Sequence, residues 1–255
     1  MIHDEQIREI VAKVILRLAR RLGANGDKGE LIVVFSAATV GFPEAIQQVR
    51  DLILDGFRIR LAFSPAAEDL ISSGVRSQLD GLPNVSGVGP AEWLPALMGA
   101  RAVVVPLLSV NTLSKLSMLI ADNTASNILL HALLMGKPLV AARNGADPGD
   151  KGRAELGFHK GNAVLNQAIA HRFRAAEDFG CILTDIRNLG GTVKSVLACE
   201  GTPVPTFSIS RRFVTASDVL HAYRMGANLS VESASGMTPQ ARDLARRYGV
   251  VLDGR

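Results

Sequence analysis

From residue 31 onward, short apolar runs alternate with amphipathic stretches. "LIVVFS" (31–36) is a β-branched run that predicts a buried strand. "FPEAIQQVRDLILDG" has apolar residues at helical spacing and stops at Gly56. "FRIRLAFS" predicts a second strand, "AEDLISSGV" a short helix and "ARAVVVP" a third strand. A loop opening "PLLSVNTLSK" follows, then a long apolar helix ending near Gly136, then a fourth strand in "KPLVAAR". Residues from about 150 to 175 read as helical, and "CILTDI" and "KSVLAC" as further strands or an edge hairpin around "RNLGG". Strands alternating with helices imply parallel βαβ units, hence an α/β, Rossmann-like doubly wound sheet. Such sheets bind ligands beyond the carboxyl ends of their strands.

The two ends follow other patterns. Over residues 1–23, Ile7, Ile10, Val11, Val14, Leu18 and Leu22 share one helical face, with acids leading and Arg17, Arg20 and Arg21 trailing. "GANGDKGE" supplies a glycine-rich tether. "GTPVPTFSIS" reads as a linker, and the remaining tail as strand, helix, strand, helix, strand, with Thr238 capping the last helix and Pro239 in its first turn. The expected organisation is therefore an amphipathic helix at 1–23, a linker at 24–30, the main domain at 31–200 and a small α/β appendage at 201–255.

A composition of 47% hydrophobic and 20% charged residues fits a well-buried globular chain. No apolar run is long enough to span a bilayer, so no membrane partner is expected. Cys181 and Cys199 sit in no metal-ligand spacing, which predicts no metal site and a reducing, cytoplasmic setting. The net charge of +4 invites a nucleic-acid reading, but the excess lies at the ends. Residues 1–23 carry five Lys/Arg against three acids, and residues 211–255 seven Arg against four acids. A nucleic-acid binder would cluster its cations on one face, so that partner is not expected.

Three strand ends carry small or hydroxylic residues. "FSAATVG" offers Ser36, Ala37 and Thr39, "AFSP" offers Ser64, and the stretch after the third strand offers Ser109, Asn111 and Thr112. Small side chains let backbone N–H groups approach a phosphate at a helix N-terminus. No GxGxxG is present, and a serine stands where a dinucleotide site places an acid for the ribose. Each loop alone could simply cap a helix. Together, on successive strands, they favour a mononucleotide with its phosphate at the first two loops.

"PLLSVNTLSKLSMLIADN" resembles the Pro-Ala-Ser-Ala-Asn-Thr signature of the homo-oligomeric FMN-containing cysteine decarboxylase superfamily. The resemblance implies an FMN cofactor with its phosphate held by Ser36, Thr39 and Ser64. It places Ser109, Asn111 and Thr112 against the flavin, with Asn111 as the catalytic contact to a substrate carboxylate. The "ADN" segment, including Asp122 and Asn123, and the loop after "PLVAAR", starting at Arg143, would complete the site across a trimer interface. One element departs: the family's histidine ahead of the signature strand is missing, although Trp93 of that stretch is present. The nearest histidine, His131, lies inside the apolar helix, where a core position is expected.

Residues 4–22 resemble the tethered helices that direct enzymes into bacterial microcompartments, and the tail, with "TPQARDLA", is similar to a module of microcompartment-associated proteins. These resemblances imply a homo-oligomeric flavoprotein in a microcompartment lumen, its N-terminal helix engaging shell or cargo proteins. The expected chemistry is flavin redox, passing electrons to a partner protein or cofactor. Two alternatives stand beside it: FMN-dependent decarboxylation of a small carboxylated thiol, and a non-catalytic flavin-bearing scaffold.

Overall fold

A computed structural model describes residues 27–199, 206–209, 213–224, 228–231, 236–250 and 252–254. The helix expected at 1–23 and the start of the tether lie outside them. The chain divides into two compact units, Met1–Ala198 and Cys199–Arg255.

The first unit is built on six parallel strands: β1 (Glu30–Phe35), β2 (Arg58–Phe63), β3 (Val85–Gly87), β4 (Ala102–Leu107), β5 (Leu139–Ala142) and β6 (Cys181–Thr184). Their order across the sheet is β3-β2-β1-β4-β5-β6. β1 shows why these residues form a central strand. Leu31 to Phe35 are all fully buried, and successive side chains point to opposite faces. Leu31, Val33 and Phe35 join a core with α1 (Phe42–Leu54), α3 (Ser72–Leu79) and α9 (Leu189–Cys199). Ile32 and Val34 join a second core with α4 (Trp93–Gly99), α5 (Val110–Ser117), α6 (Thr124–Leu134) and α8 (Ala163–Asp178). Each fully buried aliphatic side chain contributes about 1.5–3 kcal/mol, and having two apolar faces is what makes the sheet a middle layer.

Three elements differ from the pattern-based expectation. "KSVLAC" is not a strand but the end of α9. β3 is an unforeseen edge strand, too short and too exposed to show an apolar run. "AEDLISSGV" divides into the end of α2 (Pro65–Leu70) and the first half of α3, with Ile71 between them. The last residues of the expected tether are tied down: Asp27 pairs with Arg58, and the Lys28 N–H donates to the Gly56 carbonyl at 3.2 Å.

In the second unit, β7 (Thr206–Ile209), β9 (Asn228–Val231) and β11 (Leu252–Gly254) form a parallel sheet, and β8 (Phe213–Val214) pairs with β10 (Gly236–Met237). α10 (Ala216–Arg224) and α11 (Pro239–Tyr248) pack over a small core of Val214, Val219, Leu229 and Ala245. Thr238 caps α11 as its sequence predicts, accepting from the Ala241 N–H. β7 lies inside the stretch read as a linker.

Between β1 and β4 the sheet carries an irregularity. Val33 pairs with Val104 but Phe35 pairs with Leu107, so β4 holds one extra residue over that interval. Pro106 lies there; lacking an N–H, proline is accommodated in an inner strand only at such a bulge. Immediately beyond, Ser36 joins the two strands. Its fully buried Oγ donates to the Leu107 carbonyl at 2.7 Å and accepts from the Ser109 N–H at 2.7 Å. Ser36→Ala leaves the Ser109 N–H without its partner, at a cost of about 1–3 kcal/mol, which is expected to lower Tm by roughly 3–10 °C. An unchanged melting temperature in scanning calorimetry would show that the bond does not hold the two loops together.

Candidate functional site

The carboxyl ends of β1, β2 and β4 open into one cleft, at the point where successive strands turn from one side of β1 to the other. Its larger part, about 350 Å³, is lined by Ala37, Thr39, Val40, Ser64, Asn111 and Gly145, among others. A smaller part, about 150 Å³, is bordered by Thr112, Lys115, Asn123 and Ser126. The two share Ser64, Ala66 and Asn111, which makes them one continuous cleft.

Small residues let three loops meet here. A Cβ on Gly145 would lie 2.7 Å from both the Ala38 Cβ and the Leu108 carbonyl oxygen, so only glycine fits. Gly41, at φ 80°, starts α1 in a backbone region that favours glycine. Ser64 caps α2, accepting from the Ala67 N–H at 3.3 Å, and its own proton has no acceptor among the described residues. The stretch read as a polar loop is instead the helix α5. Ser109 caps it by accepting from the Thr112 N–H at 3.2 Å, and Leu113 and Leu116 turn into the core. Asn111 lies in its first turn, exposed, with no side-chain hydrogen bond among the described residues.

The smaller part of the cleft has a fixed frame. Asn123 and Ser126 form a reciprocal capping box at the start of α6. Lys115 reaches both oxygens of Asp122 at 2.9 and 2.8 Å, and this hydrogen bond holds the Asp122 carboxyl below its ordinary value. Asp122 also accepts from the Asn123 amide and the Ser126 hydroxyl. It therefore braces this wall through its neighbours.

Of the residues expected at the site, Ala37, Thr39, Ser64, Ser109, Asn111, Thr112 and Asn123 line the cleft. Ser36 and Arg143 require correction. Ser36 is fully buried and engaged between β1 and β4, so it shapes the cleft from behind. Arg143 pairs with Asp147 at 2.8 Å, and its guanidinium carbon sits 5.0 Å from the Phe173 ring centroid. Sequence reasoning missed Ala38, Val40, Ala66 and Val110, which lie beside residues it did name, and also Gly145, Arg153 and Phe158 of the connection that begins at Arg143. The sequence held no signal for the last three, since residues from about 150 read as one helical segment, whereas a short separate helix at Lys151–Glu155 precedes α8 and carries Arg153.

That connection is pinned by Asn144, whose amide donates to Asp150 at 2.9 Å and Asp185 at 3.1 Å and whose oxygen accepts from the Ile186 N–H at 2.8 Å. The Arg187 backbone N–H and the Asn144 amide hold the Asp185 carboxyl below its ordinary value. His131 is bonded to the Asn127 carbonyl at 2.9 Å and packs on Trp93 with ring centroids 4.9 Å apart, away from the cleft lining. Burial pushes the Cys181 thiol up to about 12, so it is not a nucleophile at neutral pH.

The arrangement suits an elongated polar-ended ligand. The N-termini of α1 and α5 meet at the cleft, and helix N-termini favour anions.

Comparison with known proteins agrees with this layout. Residues 23–148 match the profile of the Flavoprotein family. Among solved structures, the chain resembles phenylacrylic acid decarboxylase from Aquifex aeolicus at 20% identity and a TM-score of 0.50, covering 66% of this chain and 96% of that one. It also resembles the FMN-dependent cysteine decarboxylase TvaF from thioviridamide biosynthesis at 18% identity and a TM-score of 0.50, covering 67% and 99%. No curated protein matches it in sequence. The stretch that matches the Flavoprotein family, 23–148, contains β1 to β5 and the strand ends that form the cleft.

Proposed function

We propose that the cleft holds FMN and that the chain uses it on a small carboxylated substrate, in a reaction of the decarboxylase type. The observation that carries this reading is the two-part cleft at the strand-order reversal, where the Ser64 hydroxyl proton and the Asn111 amide have no partners among the described residues. Its volume lies in the range of cofactor pockets, roughly 300–1,000 Å³. Its walls combine small residues with polar groups, as a flavin and its phosphate require. Two structures of like fold bear decarboxylase names, one of them FMN-dependent, which supports decarboxylation over electron transfer to a partner.

In this reading each residue has a limited task. Thr39 and Ser64 donate to the cofactor's phosphate, with Ala37, Ala38 and Gly145 keeping the backbone close. Ser109 fixes α5 so that Asn111 faces the cleft, where its amide donates to a substrate carboxylate. Asp122 holds Lys115 in place at the smaller end. Bound FMN supplies a reversible two-electron couple, which the protein tunes through its surroundings. We propose a homo-oligomer as well, supported by Met118, Leu119 and Ile120, whose apolar side chains are exposed between Lys115 and Asp122.

Protein purified natively is expected to show the two-banded absorption of oxidised flavin and to release FMN on denaturation, as read by mass spectrometry. Ser64→Ala, which removes a donor to a charged group, should weaken FMN binding about tenfold or more. Flavin-loaded protein should release carbon dioxide from small thiol acids. Failure to take up supplied FMN would sink the flavin reading; electron exchange with no carbon dioxide from any thiol acid would favour redox transfer instead.

Targeting to a microcompartment is a further proposal, resting on the resemblances of residues 4–22 and of the tail. Deleting residues 1–23 is expected to abolish encapsulation while leaving flavin binding intact. If the shortened chain is still encapsulated, the helix is not the address.

A further inference from the structure

Two cations line the cleft, Lys115 and Arg153, with Arg143 and Arg187 in nearby loops, and the four are not equivalent. Lys115 is held by Asp122, Arg143 by Asp147 and Arg187 by Asp185. Arg153 lines the larger part of the cleft and has no carboxylate partner among the described residues. Of the acids near it in sequence, Glu155 makes no ion pair with it, and the two that precede it are otherwise engaged. Asp150 accepts from the backbone N–H groups of Gly152 and Arg153 and from the Asn144 amide. Asp147 accepts from the Gly149 N–H and from Arg143.

The Arg153 side chain is nevertheless fixed in place. Its Nη1 donates to the Gly145 carbonyl at 2.6 Å, and its guanidinium carbon lies 4.9 Å from the centroid of the Phe158 ring. The backbone of Gly152 is drawn against Val40, where an added Cβ would come within 2.9 Å of Cγ1. One edge of the guanidinium is thus used, and the other, Nε with Nη2, is left. Nε is buried and has no hydrogen-bond partner among the described residues. A buried N–H without an acceptor is costly, and native structures rarely leave one unless something else occupies it. The planar Nε–Nη2 edge matches two oxygens of a carboxylate or phosphate.

We propose that Arg153 is the anion-recognition residue of this cleft, taking an oxyanion on its Nε–Nη2 edge. Two sources offer that chemistry: the phosphate of the flavin and the carboxylate of the molecule that shares the cleft with it. The flavin arm of the test rests on the FMN reading above; a phosphate arm on flavin-free protein does not.

The test compares wild type, Arg153→Gln and Arg153→Lys as full chains. In calorimetric titrations with FMN and riboflavin, loss of the phosphate contact should weaken FMN binding about tenfold or more in Arg153→Gln while leaving riboflavin binding unchanged. Arg153→Lys, which keeps the charge but loses the fork, should recover part of it. If the anion is instead a substrate's, both flavins should bind all variants alike. Propionate should then perturb the bound flavin's spectrum in wild type at concentrations at least tenfold below those needed in Arg153→Gln, with propionamide indifferent to the substitution. Equal FMN-to-riboflavin and propionate-to-propionamide ratios in all three proteins would overturn the proposal. Should wild type bind no flavin, inorganic phosphate decides: a rise in its melting temperature that Arg153→Gln lacks upholds anion recognition, and identical melting curves overturn it.

Discussion

Everything at the cleft depends on a single buried hydroxyl at the place where the sheet reverses. Ser36 follows β1 and Ser109 follows β4, and the Ser36 Oγ ties the two by donating to Leu107 and accepting from Ser109. A fully buried hydroxyl is costly unless its donor and acceptor capacities are used, and here both are. The bulge at Pro106 sets the phase of this contact, because the extra residue in β4 decides which residue of that strand faces Ser36. A serine that resembles a ligand-binding residue in sequence is thus the part that makes a ligand site possible.

From that junction the consequences run outward through helix caps. Ser109 stops the strand and starts α5, which sets Asn111 in the cleft and Leu113 in the core. Ser64 does the same at the end of β2. Capping and ligand binding are therefore not rival readings of these residues. A cap oxygen that accepts from its own helix still has a proton to give. The proton of Ser109 has an acceptor in Thr112, 3.2 Å away, whereas that of Ser64 has none among the described residues. Of the two capping serines, Ser64 is therefore the better placed to donate to a ligand.

The sheet was legible in the sequence because its inner strands are buried on both faces, and continuous β-branched runs such as "LIVVF" have few other uses. The same rule misled at "KSVLAC", where Val196 and Leu197 pack beside one another against the first core from a helix. Four apolar or small residues in a row do not distinguish the two. α5 was hidden for the opposite reason: its polar face looks into the cleft, so its sequence reads as a loop. The three loops after β1, β2 and β4 that line the cleft were still found, since strand ends are a topological prediction. Arg143 was misplaced because position in a loop does not say which way a side chain turns. Asp147, four residues on, draws it away.

Arg153 left no such trace, being one arginine in a charged segment with no periodicity to read. Its meaning comes from subtraction. The N-termini of α1 and α5 and the unpaired guanidinium all contribute positive potential to one small volume. The carboxylates of Asp122, Asp147 and Asp185 neutralise other cations. A cleft whose Lys115 is balanced by Asp122, but whose Arg153 fork has no carboxylate among the described residues, has an electrostatic deficit that a neutral ligand would not relieve. Because Gly145 both supplies the carbonyl that holds Arg153 and makes the close approach to Ala38 and Leu108, that open fork is anchored to the same junction as Ser36. The charge is therefore a built part of the site, held by the scaffold that shapes it.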